Sequence, residues 1–368
     1  MAYRFGNLPL HDLLPSIVCA EDQLARLDER VQRSPIAEGF LQRLDFGDAV
    51  SHMWIAGELV HLEDLVLHDS RMDVRAPSHE LVIAHSILRS RRRIAAARPD
   101  WVLGDAGIAT LRGRSSIPSP DAHAANVAEE PESDPDSEDL IDEISADFAA
   151  IDSVLARAET TLAAHPSLAS QQSSLENRNP LIYPEDVNED ELISEWRTKL
   201  EDVASFPPAL AASLLWEAWD QLQPLQRQHW LGALLTSTYL RDRGKVTSHL
   251  LAFNIGLKAI ARERRRSPDH VTRVHASLAA LEGAAENGLR DLDRLMQAKL
   301  RFERRLRNRR ASSSLPIVLE LALSRPIITA AMVAKAAKVS QRGALNLITE
   351  LGIREITGRG RYRAWGII

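Results

Sequence analysis

A mainly α-helical protein ending in a small β-hairpin is the fold class this sequence predicts, and three observations predict it. Apolar residues recur with a period near 3.6 through most of the chain, which is the helical signature. Aromatic residues are only 5% of the total, while Ala, Leu and Arg are plentiful, and that balance favours helices over sheets. Strand-like patterning enters only in the segment 311–368, where short capped helices give way to two strand-like runs around Gly358-Arg359-Gly360.

Residues 1–112 read as helical, with clear periodicity in DQLARLDERVQRSPIAEGFLQRL and HELVIAHSILRSRRRIAAA. From residue 113 the text turns to Pro, Ser and acid without a period, so 113–190 is expected to be an acidic, largely flexible linker. Helix-compatible acidic stretches lie inside it. Residues 191–310 are again dense in helix formers, from ELISEWRTKLEDV and ALAASLLWEAWDQL to HWLGALLTSTYLRDRG and SHLLAFNIGLKAIARERRR. The run from His270 to Arg310 carries Val274, Leu278, Leu281, Ala285, Leu289, Leu292, Leu295, Leu300 and Leu306 on one stripe. An interruption is expected near Gly283 and Gly288. No internal repeat stands out.

The formal charge of −6 conceals a strong asymmetry. Residues 115–195 hold 20 Asp and Glu against two Arg, whereas residues 299–368 hold 15 Lys and Arg against four Glu. A basic tail beside an acidic segment is the distribution expected when one part of a chain meets nucleic acid. Cys19 is the only cysteine, which excludes an internal disulfide and a cysteine-based zinc site and fits a reducing compartment. No stretch reaches the roughly 18–20 apolar residues that a membrane span needs, and the amino terminus lacks a signal-peptide pattern. The expected location is cytoplasmic, without membrane attachment.

The tail is the most informative part. LPIVLELALSRPIIT opens with Pro316 early in a helix, where its missing N–H is harmless, and stops near Arg325-Pro326. Thr329 suits an N-cap for AAMVAKAAKV, with Met332, Val333, Ala336 and Val339 as its apolar face. Ser340 caps QRGALNLITELG, with Ala344, Leu345, Ile348 and Leu351 inward and Gly352 as the stop. The short turn between these helices is a helix-turn-helix signal, and IREIT with RYRAWGI supplies a hairpin, or wing.

Such a module points to double-stranded DNA. The amino end of the second helix presents Gln341, Arg342 and Asn346 to a major groove, where Arg pairs with guanine and Asn or Gln with adenine. Arg359, Arg361 and Arg363 alternate along the wing and suit phosphates or the minor groove. Lys335 and Lys338 add phosphate contacts. The competing reading is a protein-interaction module with a solvated basic face.

The rest of the chain resembles Fic-domain proteins, a helical family whose members often end in a winged helix. SHMWIAGELVHLEDLVL matches their inhibitory-helix pattern at Ile55, Gly57, Leu62, Glu63, Asp64 and Leu65, but Ala56 replaces its glutamate. LQPLQRQHWLGALLTSTYLRDRG fits the frame of their catalytic motif. The resemblance implies a base at Leu222, a magnesium-linked acid at Gln226 and a glycine-rich anion nest at Arg227, Gln228 and His229; Trp230 and Ala233 replace two arginines. Leu offers no base, Gln is a poor substitute for a metal carboxylate, and side chains occupy a nest that needs glycine. The expectation is a catalytically silent scaffold with no cofactor, rather than a nucleotidyl (AMP) transferase. The organisation is also similar to bacterial proteins that pair such a helical domain with a terminal helix-turn-helix.

Other constellations favour plain readings. His61, Asp64 and His68 share a helix face but lack a fourth metal ligand nearby. Trp196, Trp216, Trp219 and Trp230 read as helical core. The basic run at 304–310 fits a helix end or extra phosphate contacts, and the acidic stretch 129–143 a solvated linker or a mask for the basic tail. A transcriptional regulator, acting as a symmetric dimer, is the function expected.

Overall fold

The computed structural model describes residues 8–73, 76–113, 188–225, 227–306, 314–357 and 363–367. Its elements are almost all helical: α1 (Leu10–Gln32), α2 (Ala37–Ala56), α3 (Leu62–Asp69), α4 (His79–Ala96), α5 (Pro99–Leu103) and α6 (Asp105–Leu111). After residue 187 come α7 (Glu189–Asp202), α8 (Pro208–Leu222), α9 (Leu231–Asp242), α10 (Phe253–Ala259), α11 (Arg262–Arg265) and α12 (His270–Leu306). The tail consists of α13 (Leu315–Ser324), β1 (Ile328–Thr329), α14 (Ala330–Ala337), α15 (Gln341–Leu351), β2 (Arg354–Glu355) and β3 (Ala364–Gly366). The acidic linker expected at 113–190 falls almost wholly outside the described residues.

Two units divide the chain. The smaller spans Gly104–Glu191 and includes α6; there Arg112 bridges Glu189 and Asp190 at 2.9 and 2.5 Å. The larger contains residues 1–103 and 192–368, so the amino-terminal helices, the central helices and the tail belong to one body.

Helix α12 is the spine of that body, lying against α1, α8 and α10. It runs unbroken through Gly283 and Gly288, which corrects the expected interruption. Gly288 is there for packing: a Cβ on it would come within 2.8 Å of the Leu27 side chain of α1. The stripe read from the sequence is buried at Val274, Leu278, Leu281, Ala285, Leu292 and Leu295, while Leu300 is exposed. Pro35 separates α1 from α2, and Thr247–Ala252 is non-helical before α10. Both stretches were read as continuous helix from periodicity alone.

Trp196 and Trp219 are fully buried and meet edge to face at 5.3 Å, with Trp230 buried beside α9. Trp196, Trp219 and Trp230 are therefore core, as expected, whereas Trp216 is half-buried. A polar knot holds the amino-terminal and central helices together. Arg91 of α4 donates to Asp45 (2.7 Å), Asp48 (2.9 Å) and the carbonyls of Leu250 and Leu251, while Asn254 donates to Asp48. Each buried polar group thereby finds a partner, which removes the penalty of burying it alone.

In the tail, α13 packs on α2 and α12 as well as on α14 and α15. The three strands form one antiparallel sheet in the order β1-β3-β2, with Trp365 opposite both Ile328 and Glu355. The hairpin was expected; β1 was not, and it makes the sheet three-stranded.

Candidate nucleic-acid interface

Helix α14 begins at Thr329, whose hydroxyl accepts from the Met332 amide at 3.2 Å. Helix α15 begins at Ser340, whose hydroxyl accepts from the Gly343 amide at 3.1 Å. Each cap satisfies one of the orphan donors of a helix start. Lys338 and Gly352 end the two helices in the left-handed conformation, at φ 53° and 72°. The turn between the helices is three residues long, Lys338 to Ser340, and the helices pack on each other and on α13.

The inward faces largely match expectation. Met332, Val333, Ala344, Ile348 and Leu351 are buried. Three positions are corrected: Ala336 is exposed while Ala337 is buried, and Val339 and Leu345 are only partly covered. The first is a shift of one residue around a helix, or about 100°. Gly343 fits its cap, since a Cβ would press on Val339 and on the Ser340 hydroxyl at 3.3 and 3.4 Å.

Arg342 and Asn346 lie one turn apart on α15, exposed, and Lys335 on α14 and Lys338 in the turn after it are exposed as well. Among the described residues none of these four has an ion pair. Gln341 is also exposed, yet it lies on another side of α15: with Leu345 it lines a cavity that Arg342 and Asn346 do not reach. Arg359 and Arg361 fall outside the described residues. Arg363 sits at the start of β3, donates to Glu355 at 3.0 Å through Nε, and stacks 5.2 Å from the Trp365 ring centre. Hydrogen bonding to Arg363 holds the Glu355 carboxyl below its ordinary range and raises the guanidinium in turn. Sequence reasoning passed over Arg354, an exposed cation on β2; the Ile353-Arg354 alternation was the signal for it.

Docking onto the helical body uses other groups. Arg43 of α2 donates to the carbonyls of Ala322 (3.2 Å), Arg325 (2.6 Å) and Ile367 (3.0 Å). Burial pulls its guanidinium down to about 10, so it stays charged at neutral pH. Arg305 donates to the Leu351 carbonyl at 2.9 Å. Arg325 pairs with Asp69 of α3 at 2.6 Å, and Asp69 also receives Arg92. Burial pushes the Asp69 carboxyl up, but hydrogen bonds from His85, Arg92 and Arg325 outweigh it and hold the group well below the carboxylate range. His68 turns to Asp73 at 3.0 Å and stacks edgewise on His85, so the His61, Asp64 and His68 face does not converge.

Comparison with known proteins agrees with this division. Residues 315–368 match an HTH DNA binding domain. Residues 181–307 match DUF1612, a protein family of unknown function. Along its full length the chain is 44% identical over 380 residues to the uncharacterized protein y4cF of Sinorhizobium fredii, and the match covers 100% of both chains. The chain belongs to the y4cF family. A member of this family therefore carries a DUF1612 region followed directly by a carboxy-terminal helix-turn-helix that binds DNA. Among the described residues, no helix is long and apolar enough to cross a membrane.

Proposed function

We propose that this protein is a transcriptional regulator that recognises a specific double-stranded DNA sequence through α15. The observation that carries the proposal is the Ser340-capped helix start with Arg342 and Asn346 exposed one turn apart. A helix amino terminus attracts phosphate, and these two side chains have the donors and acceptors to read guanine and adenine edges. Lys335 and Lys338 contact the phosphate backbone. The hairpin acts as a wing, and Arg359 and Arg361 supply contacts to phosphates or the minor groove. Arg363 keeps to the base of the wing, tied to Glu355, and Gln341 contributes less to base reading than Arg342 because it faces the cavity. The protein works as a symmetric dimer in the compartment that holds the DNA.

The helical body is a Fic-like scaffold that does no nucleotidyl transfer. Supporting this, Leu222 is the last residue of α8, and the turn at 227–230 leads into the buried helix α9. The His229 carbonyl accepts the Trp219 indole N–H at 3.0 Å, and its ring lies near Asp220 at 3.6 Å. A Cβ on Gly232 would run into the Trp219 ring. Labelled ATP should give no transferred label on any protein of a lysate.

Genome-fragment selection with purified protein at two salt concentrations tests the DNA reading. Retention should fall steeply with salt. Arg342→Ala should relax sequence preference, by about 1–3 kcal/mol at one base pair. Arg361→Ala should weaken all fragments alike. Failure to retain any fragment at low salt would overturn the proposal.

A further inference from the structure

Between α3 and the helix-turn-helix lies a cavity of about 990 Å³, at the top of the range that holds small organic ligands. Its lining includes apolar side chains from both sides, Leu67 and Met72 from the body and Met332 and Trp365 from the tail. Leu59, which is 74% exposed, adds a further apolar side chain to the lining. Glu63 and Asp64, in the first turn of α3, line the same space, as does Asp73. Among the described lining residues, these three carboxylates face one guanidinium, Arg363, which is already bound to Glu355, and the imidazole of His61. Asp73 is engaged by His68. Glu63 and Asp64 make no ion pair among the described residues, and a cation-free first turn of α3 is where acidic side chains are favoured.

We propose that this cavity is a binding site for a small organic cation, an amine joined to an apolar or aromatic body. The apolar body lies between Met72, Met332 and Trp365, displacing water from surface that is otherwise wet. The ammonium group meets Glu63 and Asp64. Anionic ligands are disfavoured by the same pair. Gln341 and Leu345 of α15 line the site, so an occupant touches the helix proposed to read DNA. Ligand and DNA then change each other's affinity by the same factor; this consequence rests on the proposed function, whereas binding itself does not.

The test uses two fluorescent probes with one fluorophore and opposite charge, dansylcadaverine and dansyl-6-aminohexanoate, titrated with the full chain. The cation should bind with a blue-shifted emission and about tenfold more tightly than the anion. The double substitution Glu63→Gln and Asp64→Asn should remove that preference. Ala330→Trp, which fills the cavity from the start of α14, should remove binding of both probes, with circular dichroism confirming the fold. The proposal is overturned if the cation fails to bind up to its solubility, if the anion binds more tightly, or if Ala330→Trp leaves binding unchanged. Repeating the titration with a retained DNA fragment separates the two claims. Probe binding that leaves DNA affinity unchanged keeps the site and removes the coupling, while absence of any retained fragment counts only against the DNA reading.

Discussion

Arg43 is the residue whose loss should most clearly uncouple the DNA-binding module from the helical body. Its guanidinium spans three carbonyls, two at the end of α13 and one next to β3. A hydrogen bond from a charged donor contributes roughly 1.5–3 kcal/mol, and three would add to well over twice that. The bonds share one donor and are not independent, and water can reach part of the site once the arginine is gone. Arg43→Met, which keeps most of the stem, should therefore cost about 3 kcal/mol, a shift of about a hundredfold in the docking equilibrium. The readout is amide hydrogen exchange. Protection of α13 and β3 should fall, while amides at the α1–α12 contact remain as protected as in the parent chain. Gel filtration should show a monodisperse protein with a larger radius. Unchanged exchange in α13 and β3 would refute the reasoning and place the docking energy in the apolar contact of α13 with α2, where a Cβ on Gly39 would already meet the Leu323 backbone at 3.3 Å.

Three other outcomes are expected. His52 and His249 are buried, and burial pulls each imidazole down to about 4; the unfolded chain therefore takes up these protons first as pH falls. Stability should be full above about pH 6.5 and fall toward pH 4 by up to about 1.4 kcal/mol per pH unit for each histidine. Urea midpoints at several pH values check this, and His249→Asn should flatten the slope. Ser340→Ala removes the cap of α15 and should lower stability by about 1 kcal/mol, read as a fall in the thermal midpoint with the body helices intact. Arg91→Met strands Asp48 in the core and should cost roughly 3–5 kcal/mol in urea unfolding, whereas adding Asp48→Asn should return part of that loss.

The tail was legible because its punctuation is local. Pro316, Thr329, Ser340 and Gly352 each act within one helical turn, and each occupies the position its chemistry suggests. Strand β1 was not legible. Two residues after Pro326 carry no period, and Ile328 is a strand only because Trp365 lies opposite it. The same limit explains α12: glycine usually weakens a helix, but Gly288 is demanded by the neighbouring Leu27, which no local rule can reveal. On α15, spacing placed Gln341, Arg342 and Asn346 on the surface, where they lie, but did not show on which side each of them lies. Gln341 and Arg342 are neighbours in sequence and 100° apart on the helix, so the first lines the cavity and the second faces solvent. Arg43 and Arg305, which help dock the tail, were invisible for a further reason, since their partners are main-chain carbonyls.

Those carbonyls explain how the module can be fixed to the body and still have a free reading face. Arg43 takes the carbonyls of Ala322 and Arg325 at the end of α13, and Arg305 takes that of Leu351 at the end of α15. Helix carboxyl ends leave carbonyls without intrahelical partners and carry partial negative charge, so body cations settle there by the most general rule available. That choice uses the negative pole of α15 for docking. Its positive pole, at Ser340, keeps its amides and exposed Arg342 for an anion. A docking arrangement through the amino end of α15 would have had to place body carboxylates where the proposed reading brings DNA phosphates. Reversing the polarity at one point tests this logic: Arg305→Glu should loosen α15 by repelling the Leu351 carbonyl, and should lower DNA affinity at low salt even though residue 305 lies at the opposite end of the helix from Arg342. Equal DNA affinity for Arg305→Glu and the parent chain would show that docking and reading are independent.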